Sequence, residues 1–241
     1  MDEILLRHRK IWEKKKILRE IYTDWYRKII SDLKIPSGKT VELGGGSGNF
    51  KEFFPEAISS DIEKREWLDM SFDAHKMPFE NNSVSNIVML DVLHHLHNPV
   101  MFLKEACRVL ESKGRIIMLE PFSSPVSFIV YKLFHPERIF FNADYFTKTE
   151  LKDKDPWDSN QAIPYLIFYK HFEKFNEMFG NDFAVIKKEK LSCLIYPLSG
   201  GFENRSLIPD FLTGFFFKLE KFSNPVRHLM AFRCYIVLEK K

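Results

Sequence analysis

Hydrophobic residues recur at helical spacing over residues 3–34 and then gather into short runs. Before Pro36, apolar side chains return every three or four positions among charged residues, without glycine or proline, which predicts one or two amphipathic helices. The short runs that follow have strand length and are separated by turn residues. They are TVEL (40–43), AISS (57–60), WLDMSF (67–72), VSNIVML (84–90) and RIIMLE (115–120).

The segment between the last two runs predicts a helix. Asn98 is placed to cap it, Pro99 occupies its first position and Gly114 ends it. A strand, a helix and a strand in this order indicate parallel pairing and an α/β fold. Two late runs, 182–193 and 231–240, predict two further strands around a Phe-rich helix at 207–222. We therefore predict a Rossmann-like, doubly wound, mostly parallel seven-stranded sheet, with N-terminal helices and an aromatic-rich insertion after the fifth strand.

Composition narrows the class of protein. A chain of 241 residues is long enough for one sizeable core. The net charge of +3 is mild and lysines alternate with acids, so nucleic acid is not indicated as a partner. The three cysteines, Cys107, Cys193 and Cys234, are far apart, which argues against a disulfide framework and favours a reducing cytoplasm. No apolar leader or apolar run of membrane-spanning length is present, so we expect neither secretion nor membrane insertion.

The stretch VELGGGSGNF (41–50) carries the strongest chemical signal. Gly44, Gly46 and Gly48 follow a predicted strand, at the turn where parallel sheets bind ligands and where a Cβ would block a close approach. The G-x-G-x-x-G spacing of dinucleotide enzymes is absent, because residues 49–51 are Asn, Phe and Lys. Asp61, at the end of the second strand, can accept the ribose hydroxyls of an adenosine ligand.

These features resemble the class I S-adenosylmethionine-dependent methyltransferases, in particular the type 11 group. The resemblance covers about residues 40–120 and rests on VELGGGSGNF, SSDI (59–62), DAHKMPFENNSVSNIVMLDVLHHL (73–96) and NPVMFLKEACRVLESKGRIIMLEP (98–121). It implies a methyltransferase domain over 37–241, preceded by the helices of 1–36 and interrupted by an acceptor-side insertion or lid at 121–180.

The resemblance also implies S-adenosylmethionine as cofactor. The methionine part of the cofactor would face Gly44, Gly45, Gly46 and Gly48. Its ammonium group would contact Glu42, Leu90 and Asp91. Its ribose would bind Asp61 and Ile62, and its adenine would bind Asp73 and Ala74. The cofactor's positive charges suit acids in place of phosphate-binding donors. Asp61 and Asp73 are only 12 positions apart. We therefore expect the usual second crossover helix to be reduced to a loop around residues 63–66, with Trp67 or the N-terminal helices covering the sheet edge.

Methyl transfer to a hydroxyl requires a base near the strand ends. The stretch LHHLHNP supplies His94, His95 and His97, of which His95 and His94 are candidate catalytic residues. His135 in the insertion is a further candidate, as is Glu120. Each of these histidines could instead cap the following helix or pack structurally. No metal site is predicted, because no carboxylate or cysteine is spaced to complete one.

The acceptor is expected to be a small molecule or a saccharide, including lipid-linked glycan precursors. Most aromatic residues of 121–180 should extend the core, and some should line an acceptor pocket or lid. Residues 120–137 and 155–164 resemble methyltransferases associated with bacterial surface-polysaccharide synthesis. This resemblance implies stacking on Trp157 or a tyrosine and hydrogen bonds from Asp155, Asp158, Asn160 and Gln161.

Two alternatives stay open at this point. The chain could be a non-catalytic S-adenosylmethionine-binding or assembly protein with the same fold. It could also bind a membrane surface peripherally through FLTGFFFKLEKF (211–222), although we expect that aromatic helix to be part of the core.

Overall fold

A single seven-stranded sheet organises the computed structural model, which describes residues 2–34, 38–134, 137–146 and 159–241. The strand order is β3-β2-β1-β4-β5-β7-β6. The strands are β1 (Thr40–Leu43), β2 (Ile58–Asp61), β3 (Met70–Ser71), β4 (Val84–Leu90), β5 (Leu110–Pro121), β6 (Phe183–Leu191) and β7 (Arg233–Lys240). Strands β1 to β5 pair in parallel, and β7 is antiparallel to both β5 and β6. The predicted mostly parallel, Rossmann-like sheet is confirmed.

Helices cover both faces of this sheet. In the described residues they are α1 (Asp2–Lys14), α2 (Lys16–Ser31), α3 (Pro99–Val109), α4 (Pro125–Phe134), α5 (Ile163–Tyr165), α6 (Phe172–Phe179), α7 (Ile195–Ser199), α8 (Thr213–Lys221) and α9 (Arg227–Met230). A π-helical turn, Leu166–Lys170, joins α5 to α6. The prediction of one or two N-terminal helices is confirmed, and the structure has two, α1 and α2.

The alternation of side chains along the strands separates two hydrophobic clusters. Ile116 and Met118 of β5 pack with α3 and with the aromatic residues of α6. Ile117 and Leu119 face the other way, against the buried face of α2. Most of the described aromatic residues between 121 and 180 belong to the first cluster, as predicted: Phe122, Phe141, Tyr145, Phe146, Tyr165, Phe168, Tyr169, Phe172, Phe175 and Phe179.

Helix α3 begins as predicted but ends five residues earlier. The Asn98 side chain accepts a hydrogen bond from the Met101 N–H at 3.0 Å, and Pro99 occupies the first turn. The helix stops at Val109 because Leu110 already pairs with Val84 of β4. Gly114 therefore lies inside β5, and its role as the helix terminator was wrong.

The connection between β2 and β3 contains no helix, which confirms the prediction from the short Asp61–Asp73 spacing. Trp67, in this connection, donates its indole N–H to the Gly46 carbonyl at 2.8 Å. The Arg9 guanidinium of α1 lies 4.9 Å from the centre of the Trp67 ring. Trp67 and α1 therefore meet over the glycine-rich turn at this end of the sheet.

The Phe-rich helix at the C-terminal side is shorter and more exposed than predicted. It consists of a 3-10 turn, Asp210–Leu212, followed by α8. Phe216 and Phe217 pack on the core, but Phe211, Phe215 and Phe222 are exposed. The expectation that this aromatic segment is core was wrong for its outer face, because no other described element covers it. Within the described residues, no helix is both long and apolar enough to span a bilayer.

Candidate cofactor and acceptor site

The glycine-rich turn after β1 has a backbone that side chains would disrupt. Gly44, Gly46 and Gly48 have φ values of 63°, 47° and 77°, a region that L-residues rarely occupy. A Cβ at Gly44 would also lie 2.5 Å from Cγ2 of Val92. The sequence therefore uses glycine here for two physical reasons, backbone conformation and close approach.

The end of β2 holds this turn in place. The Gly45 N–H donates to the Ser60 carbonyl at 2.8 Å, and the Gly46 N–H donates to Asp61 Oδ2 at 3.1 Å. Asp61 thus ties the turn to the second strand while standing at the strand end where the ribose is predicted to bind. Ile62, the next residue, exposes half of its side chain, which provides an apolar surface suited to the predicted cofactor contact.

Glu42 is an acid without a partner beside the turn. It is buried, and among the described residues its Oε2 accepts no hydrogen bond. Burial, and then the nearby charge of Asp61, raise the pKa of Glu42 to about 8. An uncompensated buried carboxyl is costly, so this position fits a ligand that carries a positive charge, as S-adenosylmethionine does.

The predicted adenine residues lie after β3. Asp73 Oδ1 accepts the His75 N–H at 2.9 Å and lies 2.6 Å from His75 Nδ1. Ala74 is buried next to it. This carboxylate is therefore oriented by His75, a contact that the sequence analysis did not include.

Helix α1 closes over the glycine-rich turn, which the sequence analysis also missed. Arg9 donates to the Ser47 carbonyl at 2.7 Å, and Leu5 lies close to Gly46. Nothing in the sequence separates Arg9 from the other cations of α1, so its place at the cofactor turn comes from the fold.

A cavity of about 540 Å³ opens on the other side of the strand ends. Its lining includes Asp91, His94, His95, Glu137 and Arg233. Asp91 has a φ of 59° and forms an ion pair with Arg233, whose guanidinium also donates to the Tyr196 hydroxyl. The pKa of Asp91 is raised by burial, against the opposing charge of Arg233. At least one Asp91 oxygen is therefore already bound to Arg233. If the cofactor ammonium binds Leu90 and Asp91 as predicted, it has to share the Asp91 carboxylate with Arg233.

His94 lies between two carboxylates. Its Nδ1 is 2.7 Å from Glu120 Oε2, and its Nε2 is 3.5 Å from Glu137 Oε2. Burial alone would lower the pKa of His94, but hydrogen bonds with both carboxylates raise it to about 10. At neutral pH the imidazole is protonated and has no free lone pair, which argues against His94 as the base. Glu120 also accepts the Val92 and Leu93 N–H groups on Oε1, so both of its oxygens are hydrogen-bonded within the protein.

Glu137 connects His94 to His95. Its Oε1 lies 3.9 Å from His95 Nε2, and its Oε2 accepts from Gln161 Nε2 at 3.0 Å. Burial opposes ionisation, but the hydrogen bond with His94 and its charge hold the pKa of Glu137 well below its usual range. His95 is only partly buried, so its ring lies beside a carboxylate and at the edge of the cavity.

The ligand atoms of His94, His95 and Glu137 all lie within 4.8 Å of one another. Glu137 supplies a carboxylate to the two histidines from a distant part of the chain, so the reason for predicting no metal site does not hold in the fold. Glu137 could not be identified from the sequence, because it meets His94 and His95 only when the chain folds back towards them after α4.

The remaining acceptor-side predictions have different outcomes. Gln161 lines the cavity, and its side-chain amide donates to Glu137. Asn160 does not serve as predicted, because its amide bonds the Phe140 backbone and the Tyr145 hydroxyl. The candidates His135, Asp155, Trp157 and Asp158 lie outside the described residues.

The fold and the glycine-rich turn define the class. Both correspond to class I S-adenosylmethionine-dependent methyltransferases. Residues 41–118 match the methyltransferase domain model of the type 11 family, and the class predicted from the sequence is confirmed, with S-adenosylmethionine as its cofactor.

Comparison with known proteins extends this result. An S-adenosylmethionine-dependent methyltransferase from Archaeoglobus fulgidus shares the fold with a TM-score of 0.58 at 16% identity, over 96% of this chain and 98% of that one. A structure from Listeria monocytogenes assigned to the same class has a TM-score of 0.51 at 11% identity, over 90% and 97% of the two chains. An uncharacterized protein of Methanocaldococcus jannaschii is 32% identical over 103 residues. That match spans 39% of this chain and half the length of the relative.

Proposed function

We propose that this protein transfers a methyl group from S-adenosylmethionine to a hydroxyl oxygen of a small molecule or glycan precursor. The observation that carries the proposal is the arrangement around the strand ends. The glycine-rich turn with the unpartnered Glu42 carboxyl lies at β1, and His95 lies beside a cavity on the acceptor side, next to β4. The first arrangement suits a cationic cofactor, and the second suits an acceptor that must lose a proton.

Bound S-adenosylmethionine supplies an electrophilic methyl group. The chain's own residues orient the acceptor and remove its proton. His95 accepts the proton from the acceptor oxygen on an imidazole nitrogen, and Glu137 stabilises the resulting imidazolium across the 3.9 Å contact. His94 keeps its own proton and positions Glu137, because Glu120 holds it from the other side. In this role His94 is a positioning residue and His95 the catalytic one.

Cofactor choice is tested by isothermal titration calorimetry. The protein should bind S-adenosylhomocysteine one to one and should not bind NAD, because the turn lacks dinucleotide spacing. If NAD bound with comparable affinity, the assignment of S-adenosylmethionine to this site would be wrong.

The base is tested with His95→Ala. With an acceptor that the wild-type protein methylates, turnover should fall roughly 10²- to 10⁴-fold, the usual contribution of a general base. The affinity for S-adenosylhomocysteine and the melting temperature should change little. His171→Ala, far along the chain at the start of α6, is the matched control and should keep full turnover. Full turnover in the His95 variant would exclude this role.

A non-catalytic cofactor-binding protein is the second candidate. It is favoured by the extent to which the acceptor-side charges already satisfy one another, Asp91 with Arg233 and His94 with Glu120. A panel of sugar, phenol and polyol acceptors separates the two functions. Binding of S-adenosylhomocysteine without its formation from S-adenosylmethionine on any acceptor would support the non-catalytic function.

A reducing, cytoplasmic location is part of the proposal. It is supported by the three cysteines, which are free in the structure, with two of them buried.

A further inference from the structure

Exposed apolar side chains are concentrated on helix α4 and on the segment between residues 207 and 229. We call this set the helical patch. Its members are Ile129 and Leu133 of α4, Leu207, Phe211 of the 210–212 turn, Phe215 and Leu219 of α8, Phe222, Val226, and Leu229 of α9. Most of its members lie within one stretch of the chain, the 210–212 turn contacts α8, and α4 packs against α9. Single exposed apolar residues are ordinary, but contiguous ones mark interaction sites.

Helix α8 shows that this exposure is built into the fold. Its inner side is anchored: Phe216 and Phe217 pack on the core, and the Glu220 carboxylate accepts the N–H groups of residues 193–195. The outer side carries Phe215 and Leu219, four positions apart. Phe211, in the preceding 3-10 turn, and Phe222, at the C-cap, flank this pair, and we call the four side chains the stripe. Phe211 and Phe222 are 85% and 79% exposed. With the inner side fixed, the stripe cannot turn inward.

Positive charge borders the stripe. Lys218 and Lys221 are exposed on α8, and Lys132 stands beside Leu133 on α4. Among the ion pairs of the described residues, none uses these three lysines. Asp210 is an exposed acid in the same region, whereas Glu220 is committed to backbone amides. Apolar side chains flanked by lysines complement a surface with anionic headgroups above hydrocarbon.

The patch adjoins the acceptor cavity. Val130 and Tyr131 of α4 line that cavity, while Ile129 and Leu133 of the same helix face outward. A surface that docks on the patch would therefore lie next to the cavity.

We propose that the helical patch binds the surface of an anionic phospholipid bilayer, inserting its phenylalanines among the acyl chains with lysines at the headgroups. The bilayer then lies beside the acceptor cavity. That position suits acceptors whose apolar part stays in the membrane, a consequence that rests on the proposed methyl transfer. Docking itself does not depend on that activity.

Vesicle cosedimentation tests the proposal with the full chain. Vesicles of phosphatidylcholine with 30% phosphatidylglycerol should bring down the wild-type protein, and pure phosphatidylcholine should bring down less. The variant Phe211→Ser/Phe215→Ser/Phe222→Ser should partition at least 100-fold more weakly, because it removes three large apolar side chains from the bilayer. The variant Lys218→Ser/Lys221→Ser should lose about 30-fold on anionic vesicles and little on neutral ones.

The matched control is Met178→Ser/Ile186→Thr, which removes two exposed apolar side chains outside the patch and should sediment like the wild type. S-adenosylhomocysteine affinity should be the same in every variant, which shows that each one folds and separates docking from cofactor binding. Equal sedimentation of the wild type and the triple phenylalanine variant would overturn the proposal. A dimer in analytical ultracentrifugation that dissociates in the triple variant, without vesicle binding, would also overturn it and assign the patch to a second copy of the chain.

Discussion

The predicted cofactor side of the strand ends, around the glycine-rich turn, and the predicted acceptor side, around His94, are built from different kinds of contact. On the cofactor side, Gly46 bonds Asp61, only 15 positions along the chain. On the acceptor side, Asp91 pairs with Arg233, 142 positions away, and His94 bonds Glu120 and contacts Glu137. The glycine-rich turn is thus shaped by its own backbone conformation and by the adjacent strand, with Arg9 and Trp67 bonded to its carbonyls. The acceptor side is held by charges from distant parts of the chain.

The two sides also differ in how completely they satisfy their polar groups. Glu42 on the cofactor side is buried with an oxygen that no described residue bonds. Glu120 on the acceptor side is equally buried, yet it accepts three hydrogen bonds. A buried acid that is satisfied stabilises the free protein, whereas one that is not favours a ligand of opposite charge. The difference predicts that mutations on the acceptor side cost stability and that mutations on the cofactor side cost binding.

The largest effect should come from Glu120→Ala. The substitution leaves the Val92 and Leu93 N–H groups and the buried His94 without their acceptor, so the free energy of unfolding should fall by about 3–5 kcal/mol. Urea denaturation measures the change. Glu20→Ala, which removes an acid from an exposed pair with Lys16, is the control and should cost at most about 0.5 kcal/mol. If both variants lost similar amounts of unfolding free energy, the view that buried acceptor-side charges stabilise the free protein would be wrong.

Asp61→Ala should affect binding more than stability. It removes a charged acceptor for two ribose hydroxyls, each such bond being worth about 1.5–3 kcal/mol, and it also frees the Gly46 N–H. Affinity for S-adenosylhomocysteine, measured by calorimetry, should fall by a few kcal/mol in total, and Glu63→Ala should change it little. If the Glu63 variant lost affinity and the Asp61 variant kept it, the ribose site would move to Glu63.

A smaller effect is expected from pH acting on Glu42. Its pKa in the cofactor-free protein is raised from 4.5 to about 8, and a cationic cofactor favours the ionised form. Binding then releases a proton, so affinity for S-adenosylhomocysteine should rise between pH 6 and 8, by at most about tenfold per pH unit, and level off above that range. In the Glu42→Gln variant, the affinity for S-adenosylhomocysteine should not change with pH over this range.

The same group has the opposite effect on the stability of the cofactor-free protein. The folded state holds the Glu42 proton more tightly than the unfolded state, so its contribution to stability falls as pH rises from about 4.5 through about 8. Comparing the thermal denaturation of the wild-type protein with that of Glu42→Gln over this pH range isolates the contribution of Glu42 to stability. A difference between the two proteins that stays constant with pH would contradict the assignment of an uncompensated carboxyl here.

The smallest effect is expected from chelation. Because Glu120 and Glu137 already bond His94, we expect EDTA to leave turnover and melting temperature unchanged. A loss that zinc restores in the wild type but not in Glu137→Gln would instead show that His94, His95 and Glu137 hold a cation. That result would make the acceptor side, like the cofactor side, dependent on a ligand.

The regular elements were predictable wherever the information is local. The bounds of β1 and β4 follow from apolar runs between turn residues, and the start of α3 follows from Asn98 and Pro99. The end of α3 was not predictable, because it depends on the pairing of Leu110 with Val84 across the sheet. The exposure of α8 was missed for a related reason. An aromatic helix has the same sequence whether or not another element covers its outer face.

The sequence by itself determined the class of the protein, because a glycine-rich turn between two short strands depends on neighbours within about twenty residues. Only the tertiary structure decided how the acceptor side is charged. Glu137 could not be linked to His94, nor Arg233 to Asp91, until the chain returned to the same strand ends. The physical reason is that burial and ion pairing act through space, whereas glycine conformation and helix capping act through the adjacent backbone.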